Sequence, residues 1–202
     1  MSSLTDAVEA VRNGELVVIP TDTVYGLACA PDDERAVRAL SKLKRRPGGQ
    51  PIALVVASLD KLLERVPGLG RRERALLDAL LPGPYTLVVR NHARRYPWLA
   101  GETSETIGVR VPAVGGGTKE FLEEVGAVAA TSANVHGGPD PRTLEDVPPA
   151  ILEAVAAVLD GGELPGIPST VLDLVGPEPR VLREGAVPAA DALARVAAVL
   201  AE

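Results

Sequence analysis

The sequence predicts an α/β fold: a twisted sheet covered by helices on both faces. Three observations point there. Short runs such as ELVVI, PIALVVA and YTLVVR are apolar on both sides, as buried strands are. Amphipathic segments with apolar residues three and four apart lie between them. Pro/Gly clusters near 67–70, 82–84, 115–117, 137–141 and 176–179 are spaced like loops within one domain, 1–202, with no repeat or low-complexity linker.

The first helix is expected to take Thr5 as N-cap, to turn Ala7, Val8 and Val11 inward and to stop at Gly14. ELVVI follows as a strand, and PTDTVYGLACAPDDE reads as a polar loop leading to a second helix. That helix has Asp32 or Asp33 as cap and Val37, Leu40 and Leu43 inward, and ends at RRPGG. Further strands are expected at PIALVVA, YTLVVR, TIGVRV, AVAATS, STVLDLV and RVLRE. Further helices are expected at LDKLLERV, RRERALLDALL, TKEFLEEVG, PAILEAVAAVLDGG and AADALARVAAVL.

A chain of 202 residues buries roughly 70% of its unfolded surface, enough for one core without a metal or disulfide staple. The hydrophobic fraction of 46%, the charged fraction of 24% and a mean hydropathy of +0.14 are those of a globular chain. The apolar runs are too short for a membrane span, and the acidic amphipathic N-terminus is unlike a signal peptide, so a cytoplasmic protein is expected. The single Cys29 fits a reducing compartment, and His92 and His136 lack partners at metal-ligand spacing, so no protein-ligated metal is expected. A net charge of −6 and a pI near 5.1 argue against a protein that coats nucleic acid, although a local basic patch remains open.

The standard nucleotide and hydrolase signatures are absent. No P-loop pattern occurs, GLGRRE fails the dinucleotide fingerprint at its third glycine, GGGTKEF reads as a helix-start loop, and there is no G-x-S-x-G elbow. Cys29, within LACA, reads as a small core residue.

Chemistry is instead concentrated in three polar corners beside apolar strands: Thr21, Asp22 and Thr23; Thr131, Ser132 and Asn134; Ser169 and Thr170. In open α/β sheets ligands bind beyond the strand ends, but each corner alone is also explained by caps and turns. Arg110 and Arg183 lie within apolar strand sequence, where an unpaired guanidinium is costly, so each needs an anion, either a carboxylate of the chain or a bound phosphate or carboxylate. KLKRR places Lys44 and Arg46 at a helix C-terminus, which the macrodipole favours in any case, or in a phosphate clamp.

In order along the chain, PTDTVYGLA, LKRRP, PGPYTLVV, IGVRVP, TSANVHG, PSTVLDL and LREGAV make it resemble the YrdC-like threonylcarbamoyl-AMP synthase family, from about Leu16 to Val187. The resemblance implies a twisted, mostly parallel open sheet flanked by helices around a concave positive face. It implies formation of threonylcarbamoyl-AMP and pyrophosphate from L-threonine, bicarbonate and ATP with Mg²⁺, for the threonylcarbamoyladenosine of tRNA. Lys44 and Arg46 then match the family's Lys-x-Arg pair and are the expected catalytic residues. Expected ATP contacts are Lys44, Arg46, Gln50, Thr106, Ser132, Asn134, Asp140 and Arg183; expected threonine contacts are Thr23, Arg110, Ala130 and Ser169.

The chain departs from the family in places. Gln50 stands where many members have Asn, Asp140 where Ser is frequent, and Val55 where many have His. The second C-terminal domain of some members is not expected in these 202 residues. Implied partners are the three substrates, downstream threonylcarbamoyl-transferase proteins and a tRNA or double-stranded RNA contact, with no membrane. Two other readings stay open: an RNA-binding module without catalysis, and the related carbamoyl-transfer domain of much larger hydrogenase-maturation proteins.

Overall fold

The computed structural model describes residues 2–47, 49–101 and 104–201. Helices α1 (Leu4–Arg12), α2 (Glu34–Leu43), α3 (Leu59–Arg65), α4 (Arg71–Leu80), α5 (Gly116–Val125), α6 (Pro149–Leu152) and α7 (Ala189–Leu200) surround one sheet. Its strands are β1 (Val17–Ile19), β2 (Gly26–Cys29), β3 (Ala53–Val56), β4 (Tyr85–Arg90), β5 (Thr106–Arg110), β6 (Ala127–Ser132), β7 (Ala157–Val158), β8 (Thr170–Asp173) and β9 (Arg180–Arg183).

The strands lie in the order β7-β1-β2-β6-β3-β5-β4-β8-β9. The α/β class and the open sheet hold, but the mostly parallel pairing is corrected: the β1–β7, β3–β5 and β4–β8 ladders are parallel and the other five antiparallel. Strand direction depends on which segments meet across the chain, and no local pattern encodes that.

Several boundaries differ from expectation for identifiable reasons. The cap of α1 is Ser3, not Thr5: Ser3 Oγ accepts from Asp6 N at 3.1 Å and Asp6 Oδ2 from Ser3 N at 2.7 Å, a reciprocal capping box. The expected loop after β1 contains β2, which runs antiparallel to β1 with Val17 opposite Ala28. The helix expected over 149–162 is only α6, and its second half is β7, parallel to β1. A run such as AVAAVL suits either state, and the free edge of β1 decides it by pairing. Asp33 caps α2, its side chain accepting from Arg35 N and Ala36 N, and Val37 and Leu40 turn inward.

Strand alternation sorts the sheet into two faces. Leu54, Val56, Leu87, Val89, Ile107, Val109 and Leu172 join the larger core, which includes buried residues of α2, α3, α4 and α7. On the other face Val17, Ile19, Ala28, Val55 and Val128 pack against Ala7, Val8 and Val11 of α1 and Phe121 and Leu122 of α5. The same face continues across β5, β4 and β8 as Thr106, Gly108, Arg110, Thr86, Val88, Val171 and Asp173, which line a cavity. Helices therefore lie over both faces, as expected, but over β5, β4 and β8 the second face opens onto a cavity. Residues there are small, polar or charged, as a wall that meets solvent or ligand requires.

Candidate functional site

The uncovered half of the sheet forms the floor of a cavity of about 530 Å³. That is in the range of small-molecule sites, roughly 300–1,000 Å³. Among the residues expected to bind ligand, Arg46, Thr106, Arg110, Ala130, Ser132, Ser169 and Arg183 line it. They come from five segments separated by up to 137 residues, counting from Arg46 to Arg183.

Arg46 reaches the cavity because the backbone changes course just before it. Lys44 ends α2, and Arg45 has a φ of 53°, a left-handed conformation that strains a side chain with a Cβ. Arg46 Nε donates to Gln50 Oε1 at 3.0 Å, Nη1 to Thr131 Oγ1 at 3.2 Å and Nη2 to Pro51 O at 2.9 Å. Gln50 thus braces Arg46 rather than lining the cavity.

Arg183 is positioned by a close backbone approach. Its Nη2 donates to Ser169 O at 2.8 Å and to Ser169 Oγ at 3.2 Å, and Ser169 Oγ meets Thr86 Oγ1 at 2.8 Å. The contact depends on Gly185, where a Cβ would fall 2.2 Å from Pro168 O. The glycine of the LREGAV motif is therefore a steric requirement for holding Arg183 on Ser169.

Arg110 has a carboxylate of its own. Nη2 donates to Asp22 Oδ1 at 2.7 Å and to Thr23 Oγ1 at 3.2 Å, and the Asp22 and Arg110 side chains are only 7% and 11% exposed. Asp22 Oδ2 accepts from Ala113 N at 2.9 Å. Burial, with Arg183 nearby, lowers the Arg110 pKa, and Asp22 opposes the shift. Arg110 Nε is buried without a partner among the described residues, a donor that calls for a ligand acceptor. Thr23 is fully buried and acts on Arg110 instead of lining the cavity.

Lys44, Asn134 and Asp140 are not in the cavity wall. Lys44 is buried beneath the turn after β6, with its ammonium on that turn; Asn134 is part of the turn. Asp140 acts on Lys44 through charge alone, opposing the fall in its pKa. Val55 sits opposite Arg110 in the β3–β5 register and presents an apolar surface to the cavity.

Among the wall residues that sequence reasoning missed are three that interrupt apolar strands, and it also missed one support. Thr86 and Gly108 interrupt β4 and β5 at alternate positions, and Asp173 does so in β8; that period-two interruption was the available signal. Asp22 was noticed only as part of a polar corner, since its pairing with Arg110 spans 88 residues.

The electrostatic result is simple. Arg46 and Arg183 share one cavity and are held by neutral acceptors, whereas Arg110 is matched by Asp22. Two fixed guanidinium groups over a hollow with hydroxyls from Thr86, Thr106, Ser132 and Ser169 suit a multiply charged, oxygen-rich anion.

The family described as Telomere recombination, Sua5/YciO/YrdC, matches residues 9–185. The chain belongs to this family. It is 37% identical over 187 residues to a putative threonylcarbamoyl-AMP synthase of Mycobacterium tuberculosis, covering 91% of this chain and 84% of the relative. It is 38% identical over 177 residues to a threonylcarbamoyl-AMP synthase of Chromohalobacter salexigens, covering 85% of this chain and 92% of that one. The crystal structure of Pyrococcus abyssi Sua5 complexed with L-threonine superposes with a TM-score of 0.83 at 31% identity. That superposition covers 95% of this chain and 56% of the Pyrococcus protein, so the chain spans little more than half of that relative. Among the described residues no helix is long and apolar enough to cross a membrane.

Proposed function

We propose that this chain is an L-threonylcarbamoyladenylate synthase, a nucleotidyltransferase that makes threonylcarbamoyl-AMP and pyrophosphate from L-threonine, bicarbonate and ATP. The observation that carries the reading is the pair of guanidinium groups, Arg46 and Arg183, held by neutral acceptors in one cavity beside the Asp22–Arg110 pair. Relatives at 37% and 38% identity carry the synthase name, and the Pyrococcus relative was crystallised with L-threonine.

In this reaction a C–N bond forms between the threonine amine and the bicarbonate carbon, with loss of water. A carbamate oxygen bonds to the α-phosphorus, and the bond from the α-phosphorus to the bridging oxygen breaks, its electron pair leaving with pyrophosphate. Arg46 and Arg183 neutralise the charge that develops as pyrophosphate leaves; such fixed charge does most of its work where it is pre-positioned and shielded from water. The carbamate is short-lived in water, so holding it against the phosphate in a walled hollow matters as much as proton transfer.

The threonine carboxylate sits against Arg110, whose buried Nε has no acceptor among the described residues. Ser169 and the backbone of Ala130 line the same hollow and register the amino acid. A site that hydrogen-bonds the threonine hydroxyl rejects valine far more strongly than an apolar pocket would. Among the described residues no group of three or more carboxylate, histidine or cysteine side chains is placed to hold a metal. Mg²⁺ would therefore arrive on the ATP phosphates and supply further charge neutralisation there. The product would pass to the transferase proteins that modify tRNA, and a cytoplasmic location would suit that role.

Pyrophosphate release tests the reading: it should require ATP, bicarbonate and threonine together, and valine should not replace threonine. Release of phosphate or pyrophosphate that ignores threonine would refute it.

A further inference from the structure

Among the described residues that line the cavity, Asp173 is the one carboxylate. A negative charge in a hollow that receives a polyphosphate opposes that ligand, so its place there calls for a reason. The fold accounts for one of its oxygens: Oδ1 accepts from Val175 N at 2.9 Å, in a local turn at the end of β8. Among the described residues no hydrogen bond or ion pair engages Oδ2, although Arg180 stands opposite Asp173 in the β8–β9 register.

Strand register relates this free oxygen to the arginines. On the face that lines the cavity, Val171 lies opposite Thr86 on β4 and Arg183 on β9, and the next residue of β8 on that face is Asp173, opposite Val88. Two residues along a strand span about 6–7 Å, so Asp173 stands one such step along the sheet from Arg183. Gly108, opposite Val88 on β5, leaves the floor low, while Val88, Val171, Val175 and Leu182 make this end of the cavity apolar.

An adenosine nucleotide presents its groups in a matching order: the phosphate, then a ribose diol a comparable step from the α-phosphorus, then a flat base with apolar faces. An ionised carboxylate only accepts, and the diol offers two O–H donors. In dinucleotide sites an acidic side chain holds ribose hydroxyls in the same manner. The amine of the base lies a further ring away from the phosphate, which assigns the carboxylate to the sugar.

We propose that Asp173 is a specificity-determining residue: it accepts hydrogen bonds from the ribose hydroxyls of the nucleotide, so that the cavity selects a ribonucleotide over its deoxy forms. The inference rests on the nucleotide reading of the cavity and names the part of the ligand that lies against β8.

Calorimetric affinities of wild type and Asp173→Asn for ATP, 2′,3′-dideoxy-ATP and inorganic pyrophosphate, each with Mg²⁺, test it as a two-by-two cycle of side chain against diol. Asn keeps an acceptor for Val175 N but loses the charge and sets N–H donors in place of the second oxygen. Wild type should bind ATP about tenfold or more tightly than the dideoxy analogue, and in Asp173→Asn that ratio should fall to about threefold or less. The loss should lie on the ATP side, with pyrophosphate affinity equal or higher because a repelling charge has gone. A side chain that only ends β8 would weaken both nucleotides alike, and an unchanged ratio overturns the proposal. Should Asp173→Asn fail to fold, Asp173→Ser replaces it, since a serine hydroxyl also accepts from the N–H two residues on, and it must give the same fall in the ratio. A wild type that binds ATP and its dideoxy form equally sinks this inference alone; one that binds neither ATP nor pyrophosphate sinks the nucleotide reading and this inference with it.

Discussion

At the scale of single residues, the site is built by the partners of its arginines. On the proposed function, removing Arg46 or Arg183 deletes a charged contact to the leaving group, worth about 1.5–3 kcal/mol. Arg46→Ala and Arg183→Ala should each lower threonine-dependent pyrophosphate release roughly ten- to 150-fold, with unchanged circular dichroism; wild-type turnover in both would remove them from the site. Asp22 differs, because its loss strands a buried guanidinium. Asp22→Ala should cost about 3–5 kcal/mol of stability, read as a lowered denaturant midpoint, and a midpoint within error of wild type would mean Arg110 is not buried as described. Arg45, at φ 53°, is the converse case: Arg45→Gly removes a left-handed strain of about 1–2 kcal/mol and should leave stability equal or higher, where a marked fall would show that its side chain matters.

The pH dependence also belongs to single residues. Burial, with Arg46 adding to it, lowers the Lys44 pKa to about 8, and Asp140 opposes the shift. A lysine whose folded pKa is depressed carries a charge-burial cost that is fully present below about 8 and is relieved as pH rises toward the unfolded value near 10.4. Its deprotonation therefore favours the folded chain slightly while removing a donor from the turn at 132–138. Activity should fall above about pH 8 without a parallel fall in the contribution of this group to stability. A pH–rate profile set beside denaturation at each pH checks this, and flat activity to pH 10 would contradict it.

At the scale of elements, amphipathic helices and long strands were legible because their periodicity is local: α2, α4, α7, β4 and β6 lie where apolar spacing puts them. The segments that were not legible are decided by partners far along the chain. β2 and β7 are four and two residues long, too short to carry a period, and exist because β1 pairs with both. The site followed the same rule. Arg46, Arg110, Ser132, Ser169 and Arg183 were readable as charged or hydroxyl groups out of place in apolar surroundings, whereas the Asp22–Arg110 pairing and the turn held by Lys44 depend on contacts across about 90 residues. Cover by α5 makes a separate prediction. Phe121→Ala opens the packing of α5 on the sheet and should cost about 3–5 kcal/mol with the Michaelis constants nearly unchanged, since Phe121 lies in the α1–α5 core and not in the cavity wall. Altered substrate affinity at low temperature would show that the two halves of that face are coupled.

At the scale of the whole molecule, a chain with a net charge of −6 sets two guanidinium groups held by neutral acceptors over the open half of one sheet face and covers the other half with α1 and α5. The covered half supplies rigidity from small apolar residues, and the open half exchanges those for Thr86, Gly108, Arg110 and Asp173 on the same strand period. On the proposed function, an anionic substrate is drawn to the open half because the charges there are fixed before it arrives, which is what makes such charges effective in a transition state. The most direct test is mass spectrometry of the reaction mixture with ¹³C-bicarbonate, ATP and L-threonine. One labelled carbon in a threonylcarbamoyl-AMP product, with pyrophosphate in equal amount, is the predicted result. Unlabelled AMP or ADP alone, formed at the same rate with or without threonine, would contradict it.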